Sequence, residues 1–483
     1  MSVGRTALWL VPLALVARGA GFVVPLVIAS WFGVRPETDA FFFALSVPSF
    51  LLVLASNAMG TVAVPPLARL RVDAPERLAH VVSGAAAAAA LVATTTGATF
   101  ALAVPLVVPL LTRFDANTQA IAARHTWMLL PFVAGVAAIA VIRAACEVMG
   151  AFRLAAMAPI ARATAMLGTV ALCFEYGVDA LPAGMCAGAA AELAWLAWVL
   201  ARTGVQLRRP GWPADLGIAA GAILPVLAGE AMVALNLVVD KGFASALPEG
   251  SVTLLEYADR ARVIPQTLLE SSLLVVAFNT WAAARAVGDR GAQREGVSQA
   301  LRWVFLLAPP VLAGMVVARE ALVRTLFLHG AFPESGVRAC ADTLGAFVPG
   351  IFASLVGALL VKAHIVDGRF RLVLVLGAIS LGTNAALNAL LAPRFGLPGL
   401  AASTSATTVL ISVLSWSLLR GPGERAPRLA TDGAIVALLS AAGALALVDL
   451  GATSPLDPRL WVAAVPFVVL FAWGARAARR GGA

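Results

Sequence analysis

The sequence predicts an all-α polytopic membrane protein with about fourteen transmembrane helices. One reason is composition: 60% of the residues are hydrophobic and 13% are charged, whereas a soluble domain carries about 25% charged residues. A second is that apolar runs of roughly 20 residues, each able to cross about 30 Å of hydrocarbon, recur along the chain. A third is an internal repeat, which predicts two pseudo-symmetric six-helix lobes around a central cavity, followed by two C-terminal helices.

The predicted spans are separated by short connections, and several are longer than one crossing needs, which permits tilt. The first six form the predicted N-lobe (1–205), the next six the C-lobe (206–422), and the last two a C-terminal addition (423–483). The spans cover residues 7–32, 40–64, 81–111, 126–149, 154–174, 180–202, 215–239, 252–284, 299–318, 337–364, 370–392, 396–419, 429–450 and 459–478.

The repeat rests on three separated matches at nearly one offset along the chain. Pro48 in "SVPSFLL" corresponds to Pro265 in "RVIPQTLL". Pro131 in "MLLPFVAG" corresponds in the same way to Pro349 in "GAFVPGIF", and "GAFR" corresponds to "GRFR". Because an even number of spans separates the copies, we expect parallel repeats related by an axis along the membrane normal.

The distribution of basic residues predicts the orientation. With a cytoplasmic N-terminus, the inner loops hold 21 Lys and Arg residues and the outer loops hold 9. Cytoplasmic loops are enriched in basic residues, so we expect both termini in the cytoplasm. The same loops account for the net charge of +9, and we expect no nucleic-acid partner.

The sequence carries no signature of an enzyme. It lacks a Walker loop and an H-E-x-x-H zinc motif, and its four histidines are dispersed. The four cysteines form no C-x-x-C pair, so we expect no metal or redox centre built on them. The function therefore has to be sought in the charged residues of the spans.

Two arginines are the strongest candidates, because a charge in hydrocarbon is costly unless it faces a cavity or a partner. Arg18 in span 1 and Arg260 in span 8 lie deep in opposite lobes. Guanidinium groups match phosphate oxygens in paired hydrogen bonds, and the nearby Asp39 and Asp259 could neutralise the arginines in the empty state. The sequence thus predicts a cationic cavity for a phosphate-bearing substrate. The alternative is a buried ion-pair network that holds the lobes in one state.

Arg262 belongs to the same group of candidates. It follows Arg260 by two residues and therefore points about 200° away around the helix. We expect Arg260 to face the cavity and Arg262 to face an acid or the interior of its lobe.

The other charges of the spans have structural interpretations. Arg143 and Glu147, at positions i and i+4, predict a local ion pair. Glu192 and Glu270 are predicted to be partnered structural acids. Arg162 either snorkels to the inner surface or points into the cavity.

A second constellation predicts a sodium site in the C-lobe. Asn384 and Asn388 are spaced i, i+4 and share a helix face, and Thr404 and Asp240 could converge with them. One carboxylate with neutral oxygens suits a hard monovalent cation better than a divalent one. The alternative is polar packing between helices, which Asn and Thr commonly provide in membranes.

Three stretches carry a family resemblance that extends over essentially the whole chain. "ARGAGFVVPLVIASWFGVRPETDAFFFALSVPSFLL", "DKGFASALPEGSVTLLEYADRARVIP" and "RTLFLHGAFPESGV" resemble the MurJ/MviN lipid II flippases, of the multidrug/oligosaccharidyl-lipid/polysaccharide exporter superfamily. The chain departs from the family pattern at several charged positions. It has Val24, Leu52, Val53 and Asn57 where basic or acidic residues are common, and Val263 where an acid follows Arg260.

The resemblance implies a flippase in the inner membrane of a bacterium. It would move a polyprenyl-pyrophosphate-linked glycan from the cytoplasmic to the periplasmic leaflet by alternating access. We expect the protein to be a monomer. The driving force would be an ion gradient or the membrane potential. Arg18, Asp39 and Arg260 match cavity residues of the family, and the family's cation ligands fall on Asp240, Asn384, Asn388 and Thr404. Alternatives are a related flippase for a different glycan, a cation-coupled exporter of amphiphilic drugs, and a transport-inactive scaffold.

Overall fold

The structure is a computed structural model. It describes residues 22–46, 48–49, 64–208, 220–266, 290–419, 431–447 and 457–480, together with Gly19 and Leu269. The described residues form helices joined by short turns and contain no strand, which confirms the all-α prediction. They belong to two compact units that divide between Thr253 and Leu254. The predicted boundaries of the lobes stay a prediction.

The first unit is built around two long helix pairs that pack along their length, α4 with α6 and α8 with α9. A short 3₁₀ turn, Phe174–Asp179, connects α8 to α9. The helices of this unit are α1 (Phe22–Phe32), α2 (Pro36–Ala44), α3 (Val64–Asp73), α4 (Pro75–Leu111), α5 (Ala116–Met128), α6 (Leu130–Val148), α7 (Phe152–Ala156), α8 (Ala158–Leu172), α9 (Ala180–Arg202) and α10 (Ala220–Ala244).

The second unit is centred on the packing of α13 against α14, with α12 beside α13. The unit boundary falls inside α11, so this helix begins in one unit and continues in the other. The helices are α11 (251–266), α12 (Arg290–Phe327), α13 (Glu334–Val366), α14 (Phe370–Leu418), α15 (Thr431–Leu447) and α16 (Pro458–Arg480).

Eight helices of the described part are long and apolar enough to cross a membrane, which confirms a polytopic membrane protein. The predicted number of fourteen stays a prediction, because several spans lie partly outside the described residues. The eight are Pro75–Leu111, Leu130–Val148, Phe152–Leu172, Phe174–Arg202, Glu295–Phe327, Glu334–Val366, Phe370–Leu418 and Pro458–Arg476.

Some boundaries differ from the predicted spans for physical reasons. The predicted span 126–149 contains the whole of α6, which starts at Leu130 with Pro131 in its first turn, where a missing N–H does no harm. The preceding helix α5 ends at Met128, inside the predicted span. The predicted span 299–318 is extended in both directions in α12. Hydropathy marks only the part of a helix that lies in hydrocarbon, whereas Arg, Glu and Gln are good helix formers that continue it into water.

The backbone repeats along with the sequence. Glycines in the left-handed region recur in pairs: Gly33 and Gly250 (φ 68° and 87°), Gly150 and Gly368 (φ 78° and 74°), Gly177 and Gly396 (φ 61° and 62°). The members of each pair are separated by almost the same length of chain as the matched stretches of the sequence repeat. Residues with a Cβ rarely adopt this conformation, so the chain turns in the same way at equivalent points of both copies.

Small residues let the helices of the first unit approach closely. An added Cβ at Gly188 in α9 would lie 2.8 Å from the backbone oxygen of Arg162 in α8, and one at Gly184 would lie 3.0 Å from that of Met166. Close approach of backbones is the usual way in which helices pack within a membrane. This seam fixes α8 against α9 and places Arg162 beside the acid one turn further along α9, Glu192.

The second unit uses serines for the same purpose. Ser405 and Ser412 of α14 each donate a hydrogen bond at 2.7 Å to a backbone oxygen of α13, those of Ala346 and Ala353. The C-terminal helices α15 and α16 pack on α12, where a cluster of buried apolar residues and an Arg302–Asp432 ion pair at 2.6 Å join them. The apolar cluster consists of Ala313, Val317, Ala444, Ala463 and Phe467.

The seam between α8 and α9 predicts a difference between two glycines. Gly188→Leu should lower the free energy of unfolding by about 1–3 kcal/mol, because the side chain overlaps the backbone of α8. Gly168→Leu, in α8 itself, meets no atom within 4 Å of its Cβ and should leave stability unchanged. Thermal unfolding of the purified variants in detergent measures both. Equal melting temperatures for the two variants would contradict the close seam.

Candidate functional site

Helix α11 carries two of the three arginines of the predicted substrate site, Arg260 and Arg262, and each has a partner on the same helix. The Nε and Nη2 atoms of Arg260 lie 2.8 and 2.6 Å from Oε1 of Glu256, one turn earlier. Glu256 is 3% exposed, whereas 40% of the Arg260 side chain is exposed. Arg260 is therefore held from behind by a buried acid while its outer part remains accessible. That Arg260 faces a substrate cavity stays a prediction.

Arg262 has a different environment. Its Nε donates at 2.7 Å to Asp259, and its Nη1 donates at 3.0 Å to Gln266. Its guanidinium carbon lies 4.9 Å from the centre of the Phe347 ring of α13, a cation–π contact. The expectation that Arg262 faces an acid is confirmed. Asp259 thus pairs with Arg262, and the acid bonded to Arg260 is Glu256.

Asp39 lies at the beginning of α11 and caps it. Its carboxylate accepts hydrogen bonds at 2.7 Å from the backbone N–H groups of both Gly250 and Thr253, and at 2.6 Å from the Thr253 hydroxyl. The first N–H groups of a helix have no partner within the helix, and an acid is favoured there by the helix dipole as well. Asp39 is 4% exposed, so its oxygens are occupied by the helix that carries Arg260. Its substrate-binding role stays a prediction.

The other end of α2 is fixed by Lys241 of α10. The Lys241 side chain is 1% exposed, and its Nζ donates at 2.7 Å to the backbone oxygen of Phe42. Helix α2 is thus joined to α10 through Lys241 and to the start of α11 through Asp39. Sequence reasoning did not select Lys241, although a lysine that follows an apolar span and precedes the repeat motif was a usable signal.

Glu192 is the centre of a second charged cluster, within the first unit. Arg143 of α6 binds its Oε1, and Arg162 of α8 binds its Oε2. The prediction that Glu192 is a partnered structural acid is confirmed, and Arg162 pairs with it. The predicted Arg143–Glu147 pair is present only as a through-space attraction. The bonded partner of Arg143 is Glu192, which is buried, whereas Glu147 is exposed.

The four residues of the predicted sodium site fall in both units. Asn384 and Asn388 are buried on one face of α14, at 1% and 0% exposure, and the Thr404 hydroxyl donates at 3.2 Å to the backbone oxygen of Leu400. Asp240 belongs to the first unit, near the end of α10. Hard cations are coordinated by oxygen ligands, including those of amides and hydroxyls, so the residue types fit sodium. The site itself stays a prediction.

Several predicted residues lie outside the described part of the chain. Arg18 and Glu270 are among them, and so are the departures from the family pattern at positions 52, 53 and 57. Their predicted roles therefore remain as the sequence gives them. Besides Lys241, the sequence prediction also missed Glu256, for which the i, i+4 spacing to Arg260 was the available signal.

The capping of α11 predicts a graded loss at Asp39. Asp39→Ala leaves the N–H groups of Gly250 and Thr253 without their acceptor, while the Thr253 hydroxyl can still donate to Thr38 at 2.9 Å. It should lower the free energy of unfolding by about 2 kcal/mol. Asp39→Asn keeps one oxygen and should lose less. Asp115, an exposed cap that accepts from Asn117 and Thr118 at the start of α5, gives a matched control whose replacement by alanine should lose least. Thermal unfolding in detergent would show the order, and a larger loss at Asp115 would contradict it.

Glu192 and Glu147 provide a second test. Glu192→Gln leaves two guanidinium groups without their common anion and should destabilise the protein by about 3–5 kcal/mol. Glu147→Gln should be neutral, because the acid is exposed. Membrane yield and thermal unfolding of the two variants measure the difference. The reverse order would restore the local pair predicted from the sequence.

Comparisons with known proteins identify the family. The family model described as "Lipid II flippase MurJ" matches residues 28–454. A Vibrio cholerae protein named "Probable lipid II flippase MurJ" is 24% identical over 420 residues, covering 82% of this chain and 79% of its own. A Haemophilus influenzae protein of the same name is 26% identical over 434 residues, covering 83% of each chain.

Two solved structures share the fold. One, described as "Lipid II flippase MurJ, inward closed conformation", has a TM-score of 0.79 at 16% identity and covers 98% of this chain and 99% of its own. The other, an inward-facing multidrug resistance MATE family transporter of the MOP superfamily, has a TM-score of 0.61 at 13% identity, over 83% and 97% of the two chains. Because the family model spans most of the sequence, the chain belongs to the MurJ lipid II flippase family.

Proposed function

We propose that this protein is a flippase that moves a polyprenyl-pyrophosphate-linked glycan, lipid II or a close relative, from the cytoplasmic to the periplasmic leaflet of a bacterial inner membrane. The observation that carries the proposal is the family match over residues 28–454. The role is one of transport in cell-wall synthesis, without catalytic chemistry by the chain. Both termini lie in the cytoplasm and the protein works as a monomer.

The charged helix α11 supplies the chemistry that such a substrate needs. Arg260 keeps its charge at any working pH and can bind two phosphate oxygens at once. Its exposed side chain is the group of the described spans best suited to a pyrophosphate. Arg18 and Arg262 are proposed to add positive charge, with Asp39 and Asp259 holding the helix and its charges in place.

The driving force is proposed to be an ion gradient or the membrane potential. A sodium ion would be held by Asp240, Asn384, Asn388 and Thr404. It would bind more tightly to one conformational state of the transporter than to the other. A ligand shifts a conformational equilibrium only by its difference in affinity for the two states. The buried amides of α14 fit this role.

Replacement of Arg260 distinguishes a transporter from a scaffold. In a bacterium whose own lipid II flippase is depleted, the wild-type chain should restore growth and Arg260→Ala should not. One charged hydrogen bond contributes about 1.5–3 kcal/mol, so losing it should lower substrate transport by roughly tenfold or more. Arg324→Ala is the matched control, because Arg324 also pairs with an acid one turn earlier, Glu320, in the same unit.

The outcomes distinguish the alternatives. Rescue by both variants, with the proteins verified in the membrane, would indicate a scaffold rather than a flippase. Absence of rescue by the wild-type chain would contradict lipid II as the substrate and direct the search to another polyprenyl-linked glycan or to an amphiphilic drug.

A further inference from the structure

The ion pair of Arg260 and Glu256 is asymmetric in burial. The acid is 3% exposed, whereas 40% of the arginine side chain is exposed. A buried carboxylate has lost its water and depends on the protein groups bonded to it. The arginine, in contrast, can exchange part of its interaction for water or for an arriving anion. Glu256 is thus a fixed negative charge directly behind an accessible positive one.

The geometry of the pair leaves part of the guanidinium for a second acceptor. Both contacts go to one carboxylate oxygen, and they use the Nε and Nη2 atoms of Arg260. A guanidinium has five N–H donors in a planar fork. Its outer edge, formed by Nη1 and the second hydrogen of Nη2, can bind a phosphate oxygen while Glu256 stays in place. An anion that binds there shares the arginine with the acid.

Sharing one cation between two anions weakens both interactions. The carboxylate and the phosphate would lie a few ångströms apart in surroundings of low dielectric, where like charges repel strongly. For a transporter such weakening is useful, because a pyrophosphate bound too tightly would not leave at the far side, and product release limits turnover in many systems. An acid fixed behind the arginine keeps binding reversible.

We propose that Glu256 is a resident counter-ion of Arg260 that lowers the affinity of this arginine for the substrate's phosphate groups and so permits release. The identity of the anion rests on the proposed function. Glu256 acts through Arg260 and is therefore a positioning residue that sets affinity, without direct contact with the substrate.

A pair elsewhere in the same unit shows why burial matters. Glu320 and Arg324 of α12 have the same i, i+4 spacing, and Nε and Nη2 of Arg324 again contact Oε1 of the acid, at 3.2 and 3.1 Å. Arg324 also pairs with a second acid, Glu334, at 2.5 Å. The Glu320 side chain is 33% exposed, so water shares its charge. If these i, i+4 ion pairs only stabilised their helices, Glu256 and Glu320 would have the same role. The counter-ion role applies only to Glu256, which is the buried acid.

Binding of geranyl pyrophosphate to the purified full-length chain in detergent tests the proposal. Glu256→Gln keeps an oxygen that can accept from Arg260 but removes the negative charge, so affinity should rise by roughly tenfold. Glu320→Gln should bind as the wild type does. Glu256→Gln combined with Arg260→Gln should lose the gain, and Glu256→Asp should keep the wild-type affinity. Unchanged or weaker binding by Glu256→Gln would overturn the proposal.

Folding and function are measured separately. Thermal unfolding without ligand checks each variant, and Glu256→Met is a second neutral replacement that should also raise affinity. If both neutral variants fail to accumulate while Glu320→Gln accumulates, Glu256 is a folding residue and the proposal is wrong. Tighter binding without rescue of a flippase-depleted strain by the wild-type chain would uphold the role of Glu256 and reject the proposed substrate. Rescue by the wild-type chain, together with unchanged binding by Glu256→Gln, would uphold the proposed substrate and reject the role of Glu256.

Discussion

The cost of an unpaired charge in hydrocarbon is the constraint on which the charged architecture of this protein depends. A charged residue in a membrane span is expensive and needs a partner or an aqueous cavity. Glu192 meets this need with two arginines from neighbouring helices, and Arg262 meets it with Asp259, Gln266 and the face of an aromatic ring. Each of these charges is thus bonded to protein groups from more than one direction. Arg260 differs, because its partner covers one side only.

The same constraint explains how α2 is held. Helix ends leave backbone groups without partners inside the helix, and in an apolar environment charged side chains satisfy them strongly. Asp39 provides acceptors for the start of α11, and Lys241 provides a donor for the last turn of α2. Two buried charges of opposite sign are thereby each satisfied by backbone groups. A short helix of nine residues becomes a fixed link between longer ones.

Much of the fold could be predicted from the sequence, because hydropathy and repeats are local or periodic signals. The nearly constant offset of the sequence repeat anticipated equivalent turns such as those at Gly150 and Gly368. Partners could not be predicted in the same way. Arg143 lies 49 residues from Glu192, and Asp39 lies 214 residues from Thr253, so nothing in their local spacing links them. Local spacing favoured Glu147 as the partner of Arg143, whereas in the folded protein Arg143 bonds the buried Glu192.

The repeat also shows where the two copies have diverged. The separation of Asp39 from Glu256 along the chain equals that of Gly33 from Gly250, so the two acids are equivalent in the two copies. Both are almost completely buried. In the first copy the acid has backbone N–H groups and a hydroxyl as its partners and is fully occupied by a helix end. In the second copy the acid binds a guanidinium that is still accessible from outside. One acidic position of the repeat thus caps a helix in the first copy and pairs with an accessible arginine in the second. If Arg260 binds the substrate's phosphate groups as proposed, the first copy supplies a fixed helix and the second supplies the charge that meets the anion.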